Sequence, residues 1–134
     1  MIVQGFHIGD NDWWIMCYYD VRTDRDLREV DEVLHASGAD KETRRKAVEN
    51  LAKVNAGFTF TSFSSKSTVI FLSRASSPEQ MYDSIQHELK HAVEHISEFY
   101  DVDSKSEEAA YLQGEIARQM FPAAAMVVCT CSPR

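Results

Sequence analysis

The segment SSPEQMYDSIQHELKHAVEHISEFY, residues 76–100, constrains the fold more than any other stretch, because its start and both its faces are set by local chemistry. Ser77 stands at an N-cap position, Pro78 at the first helical position, Gln80 three residues after the cap, and Glu79 near the positive end of the helix dipole. Met81, Ile85, Leu89, Ala92, Val93 and Ile96 recur at helical spacing and form one apolar side. His87, Glu88 and His91 fall on the opposite side. Such a helix must lay its apolar side on something, so the rest of the chain has to supply a core.

The flanking segments supply it. Residues 13–21, WWIMCYYDV, are aromatic and β-branched enough for a strand buried on part of both faces. A helix follows in residues 23–38, with Thr23 or Asp24 as cap, Leu27, Val30, Val33 and Leu34 as its stripe, and Gly38 at its end. A second spans residues 40–57, with Ala47, Val48, Leu51 and Ala52 inward and Gly57 as its stop. Residues 58–73 read as a hairpin around a Ser/Lys turn, its second strand the apolar run Thr68 to Leu72. After DVDSKS, Ser104 and Glu107 form an S-x-x-E box that opens a last helix ending near Pro122. The expectation is one α+β domain over residues 1–134, a small sheet with helices packed on it.

Composition narrows the function classes. At 134 residues the chain is one domain's worth. A net charge of -7 disfavours a nucleic-acid partner, which would need clustered Lys and Arg. Arg44, Arg45 and Lys46 are interleaved with Glu42 and Glu49 and read as a solvated helix face. The N-terminal MIVQGFHIGDND has neither the basic nor the apolar region of a secretory leader, and no apolar run reaches membrane-spanning length, so the expected setting is cytoplasmic and soluble. Cys17, Cys129 and Cys131 cannot all pair, and C-x-C at the end of the chain is read as inert.

His87, Glu88 and His91 make H-E-x-x-H. On a helix, positions i and i+4 lie one above the other, so the two imidazoles can converge on one ion, about 2.0–2.1 Å from each nitrogen for zinc. Glu88 is rotated about 100° from His87, out of line as a ligand but able to reach a water at the metal. That is a general-base position. His95 is one turn further on, but about 12 Å of helix separates it from His87, too far to share the ion; it is left beside the substrate or behind the ligands. A catalytic zinc keeps three protein ligands, so the third must come from elsewhere. The extended DVDSKS spans up to roughly 20 Å, enough to return either Glu107 or Glu108 to the metal.

HELKHAV, with a glutamate on the following helix, resembles the gluzincin branch of zinc metallopeptidases, whose best-known members are thermolysin-like. EEAAYLQG is similar to the E-x-x-A-Y-L segment of short zincin-like proteins encoded in phages and bacterial mobile elements. The resemblance covers residues 58–121. It implies a zincin-like fold, Zn²⁺ held by His87, His91 and Glu107 (Glu108 the fallback), Glu88 as general acid and base, and a peptide or protein substrate. It also implies that the strand before the active-site helix, Thr68 to Ser73, is a sheet edge pairing with that substrate, and that His95 or Tyr111 stabilises the oxyanion. The chain departs from the resemblance in lacking a second domain to close a cleft. Two other readings stand beside the peptidase: an inactive zincin-fold structural or binding protein of a phage or mobile element, and a metal-free helical interaction domain. Oligomeric state is not legible.

Overall fold

The computed structural model describes residues 1–10 and 12–130. Strands β1 (Ile2–Ile8) and β2 (Trp13–Val21) form an antiparallel pair, followed by helices α1 (Asp24–Ala36) and α2 (Lys41–Leu51). Strands β3 (Gly57–Ser62) and β4 (Ser67–Ser73) and helices α3 (Pro78–Phe99) and α4 (Glu107–Thr130) complete the elements among the described residues. The sheet order is β1-β2-β4-β3, with β2 and β4 parallel and the two outer pairings antiparallel. The expected α+β character holds, as a four-stranded mixed sheet with four helices. Among the described residues no helix is long and apolar enough to cross a membrane.

The sheet is covered on both faces, so the strands divide their side chains between two cores. Ile15, Cys17, Tyr19, Ile70 and Leu72 face α3 and α4, where Met81, Leu89, Ala92, Ile96, Ile116 and Met120 meet them. Tyr18, Val69 and Phe71 face the other way and pack with Val30 and Leu34 of α1 and Ala47 and Leu51 of α2. Every residue expected on the apolar side of α3 is buried.

The helix starts follow side-chain caps. Thr23 and Asp26 form a reciprocal capping box on α1, Asp40 accepts from the Thr43 N–H on α2, and Ser77 Oγ accepts from the Gln80 N–H at 3.1 Å on α3. The last helix departs from expectation. Its cap is Ser106, whose Oγ accepts from the Ala109 N–H at 3.2 Å, not Ser104. Nor does α4 end at Pro122, which lies inside it. Proline removes one backbone donor, but burial of Met120 and Val127 on either side holds the helix together.

The N-terminal segment, for which no element was expected, forms the edge strand β1. Two other expectations are corrected. Gly57 does not end α2, which stops at Leu51; it opens β3. The strand preceding α3, β4, is central, bonded to β2 and β3, so Thr68 to Ser73 offer no free edge. The edge on that side is β3. Its residues alternate: Phe58 and Phe60 pack on the α1/α2 core, while Thr59 and Thr61 bond to α3.

Candidate metal and catalytic site

The helix face left over from core packing runs His87, His91, His95, Phe99, each one turn after the last, with Asp83 one turn before. Edge strand β3 lies beside this line, and the two together shape the site.

His87 and His91 point at a common place. Their Nε2 atoms are 3.2 Å apart and their ring centroids 4.8 Å. Two nitrogens at zinc-bond length with that separation subtend about 100° at the ion, close to the tetrahedral angle. The pair therefore fits a zinc ion as two of its ligands.

Glu88 is only 4 % exposed, so it is not on the solvent side as the helical pattern implied. Its side chain crosses the beginning of β3, where there is room because residue 57 is glycine. A Cβ at Gly57 would come within 2.6 Å of Glu88 Cγ and 2.7 Å of Oε2. Thr59 Oγ1, 2.8 Å away, donates to Glu88 Oε1. The other oxygen, Oε2, lies on the histidine side, 4.0 Å from His87 Nε2. Glu88 lines a surface cavity of about 300 Å³ together with Asn50, Asn55, Asp83 and His87.

His95 is tied to the sheet by a buried chain. Trp13 Nε1 donates to Thr68 Oγ1 at 3.0 Å, Thr68 Oγ1 lies 2.9 Å from Thr61 Oγ1, and Thr61 Oγ1 lies 2.8 Å from His95 Nδ1. The indole can only donate, so satisfying every hydroxyl runs the chain one way: Trp13 to Thr68, Thr68 to Thr61, Thr61 to Nδ1. His95 Nδ1 is then the acceptor, and the proton of the neutral ring belongs on Nε2. Burial, with the neighbouring His91 acting in the same sense, lowers the His95 pKa below its ordinary value and favours that neutral form; Glu98 and Glu94 oppose the shift.

The acidic start of α4 is less closely joined to the site. Glu107 and Glu108 are both exposed, and Glu108 borders a hollow formed with Ile96, Ser97 and Tyr100 at the far end of α3. From there α4 returns along α3 over β1, where Gln119 O accepts from Gln4 Nε2 at 2.7 Å. Among the described residues, no group of three His, Cys, Asp or Glu side chains stands together as a ligand set, so Glu107 is not assembled with His87 and His91 here. Tyr111 is 72 % exposed. Of the cysteines, Cys17 is buried and its thiol pushed up to about 12 by burial, Cys129 is exposed and free, and Cys131 lies outside the described residues.

Sequence reasoning missed Gly57, Thr59 and Thr61. The alternation G-F-T-F-T was the available signal: it places small and hydroxyl residues on one face of a strand whose other face is aromatic.

The chain matches no family model, no curated protein and no solved structure.

Proposed function

We propose that this protein is a zinc-dependent peptidase of zincin-like type, with His87 and His91 as metal ligands and Glu88 as general base and acid. The observation that carries the reading is the convergence of the two Nε2 atoms at 3.2 Å beside a buried carboxylate whose Oε1 accepts from Thr59. A zinc ion bound by that pair supplies a water acidified to a pKa near 7 and polarises a carbonyl.

The chain's own residues do the rest. Thr59 fixes Oε1, so Oε2 of Glu88 accepts the proton of the attacking water and returns it to the departing amine nitrogen. Beyond Gly57, whose carbonyl accepts from Asn50 Nδ2 at 2.8 Å, edge strand β3 offers its outward backbone groups to an extended peptide, taking the role expected of Thr68 to Ser73. His95, as the Nε2–H tautomer, is a neutral donor further along the same line and is the candidate to stabilise the oxyanion. Tyr111 would have to leave its exposed position to share that role.

Glu107 remains the proposed third ligand, on the resemblance, and reaching the pair requires the connection at residues 100–106 to carry it back along α3. Glu107→Gln is expected to weaken zinc binding at least tenfold while Glu108→Gln leaves it unchanged. Equal effects of the two would remove the Glu107 assignment.

The deciding experiment is elemental analysis after zinc addition and dialysis, paired with a peptide-library digest. Stoichiometric zinc that is lost in His87→Ala and His91→Ala, with cleavage that disappears in Glu88→Gln, supports the peptidase. Zinc without Glu88-dependent cleavage leaves the inactive zincin-type scaffold. Absence of zinc binding removes both and leaves the helical interaction domain.

A further inference from the structure

The line of α3 residues that begins with the histidines ends on an aromatic shelf. One turn after His95 comes Phe99, stacked nearly parallel to Phe63 with 6.2 Å between ring centroids, and Phe99 contacts Tyr100 at 4.9 Å. Phe63 also meets the His95 ring edge-on at 6.5 Å, and His95 lies 6.4 Å from His91. Phe63, Phe99 and Tyr100 remain 43 %, 39 % and 44 % exposed. Three large rings left this open, when a core is within reach through Trp13 at 5.2 Å from Phe99, need a reason.

The surroundings point to one occupant. The shelf lies just past the end of β3, where Phe63 follows Thr59 and Thr61 in the alternation of the strand and falls on the same helix-facing side. Lys66 closes its outer side with its ammonium over Phe99 and Tyr100, while its charge is taken up by Asp12 at 2.8 Å. The Tyr100 hydroxyl donates to the same Asp12 carboxylate, so this outer side is polar and occupied, and the apolar part of the shelf on the β3 side is Phe63 with Phe99. At the opposite end of β3 a separate hollow is lined by Asn50, Asn55 and Asp83 and is polar.

We infer that Phe63 and Phe99 form a specificity subsite for an aromatic or large apolar side chain of an extended peptide lying along β3. This rests on the peptidase reading for its position relative to the reacting bond. From His91 to Phe99 is about 12 Å along the helix, the length of three to four residues of extended chain. The selected side chain is thus three to four residues from the bond placed at the histidine pair, and the residues between them face Thr59 and Thr61.

Two measurements test the subsite separately from the chemistry. In the first, pentapeptides with one Phe scanned through an alanine host are titrated into the protein, with aromatic NMR resonances as the readout. One Phe position should bind about tenfold or more tighter than the all-alanine peptide and shift the rings of Phe63, Phe99 and Tyr100. Phe63→Ala and Phe99→Ala should abolish that advantage, and Phe63→Leu, which preserves apolar packing, should keep part of it. No preference over alanine, or a preference unchanged in Phe63→Ala and Phe99→Ala, overturns the subsite. In the second, the library digest is read for an aromatic residue three to four positions from the cut. Lack of Glu88-dependent cleavage rejects the peptidase and leaves the binding titration to judge the shelf. Cleavage without aromatic selection at that distance rejects the shelf and leaves the peptidase standing.

Discussion

Gly57→Ala is the most informative single change, because one methyl group reports on how Glu88 is held. The new Cβ would lie 2.6 Å from Glu88 Cγ, 2.7 Å from Oε2 and 2.8 Å from Cδ, where carbon contacts prefer about 3.5–4.0 Å. The strand backbone is tied to β4 through Leu72, so the side chain must yield. Glu88 then moves by close to an ångström and gives up the 2.8 Å bond from Thr59. Overpacking of this kind costs about 1–3 kcal/mol, and the loss of chain freedom in the unfolded state on replacing glycine offsets about 0.4–1 kcal/mol. The net expectation is a destabilisation of about 1–2 kcal/mol, which moves a urea midpoint down by about 0.5–1 M. The control is the same change in a Glu88→Ala background, where Cγ, Cδ and Oε2 are absent and the methyl group has space. There the cost should fall to near zero, giving a coupling of about 1 kcal/mol or more. Equal cost of Gly57→Ala in both backgrounds would refute the account of Gly57 as the space Glu88 occupies.

The remaining expectations are simpler. Thr68→Val should cost about 1–3 kcal/mol in chemical denaturation, since it leaves the Trp13 N–H buried without an acceptor; ¹⁵N NMR should show His95 losing its single tautomer. Because burial lowers the His95 pKa, the unfolded chain takes up a proton more readily than the folded one. Its contribution to stability is therefore present above pH 6.5 and lost as pH falls through and below that value, measurable as a drop in thermal midpoint that His95→Gln lessens. At neutral pH, Cys129 should react with iodoacetamide in the native protein while Cys17, its thiol pushed up to about 12, reacts only after unfolding; mass spectrometry of the labelled peptides distinguishes them.

What could be read in advance was what local chemistry decides. The start and apolar side of α3 follow from Ser77, Pro78 and a 3.6-residue period, none of which depends on distant contacts. The His87–His91 convergence follows from the same period. The edge of the sheet was not legible, because an order of β1-β2-β4-β3 is set by pairings between residues far apart in the chain. β1 escaped notice since Gln4 interrupts its apolar alternation; the structure satisfies that side chain through the Tyr19 hydroxyl and the Gln119 carbonyl. Glu88 was read as solvated because helical periodicity alone does not show that a strand crosses over it. The placement of Glu107 depends on how seven connecting residues run, which no periodic pattern encodes.

The two-faced composition of β3 also sets how this region can change over evolutionary time. Phe58 and Phe60 hold one face while Gly57, Thr59 and Thr61 serve the other, so sliding the strand by one residue would present phenylalanine to the Glu88 carboxylate and threonine to the α1/α2 core. A single-residue insertion near residues 63–66 that propagates into the strand would thus dismantle the site and the second core together. Exchanges at Thr59 or Thr61 alone leave the strand where it is. The chemistry beside the histidines can therefore drift by substitution, but is shielded from drift by insertion.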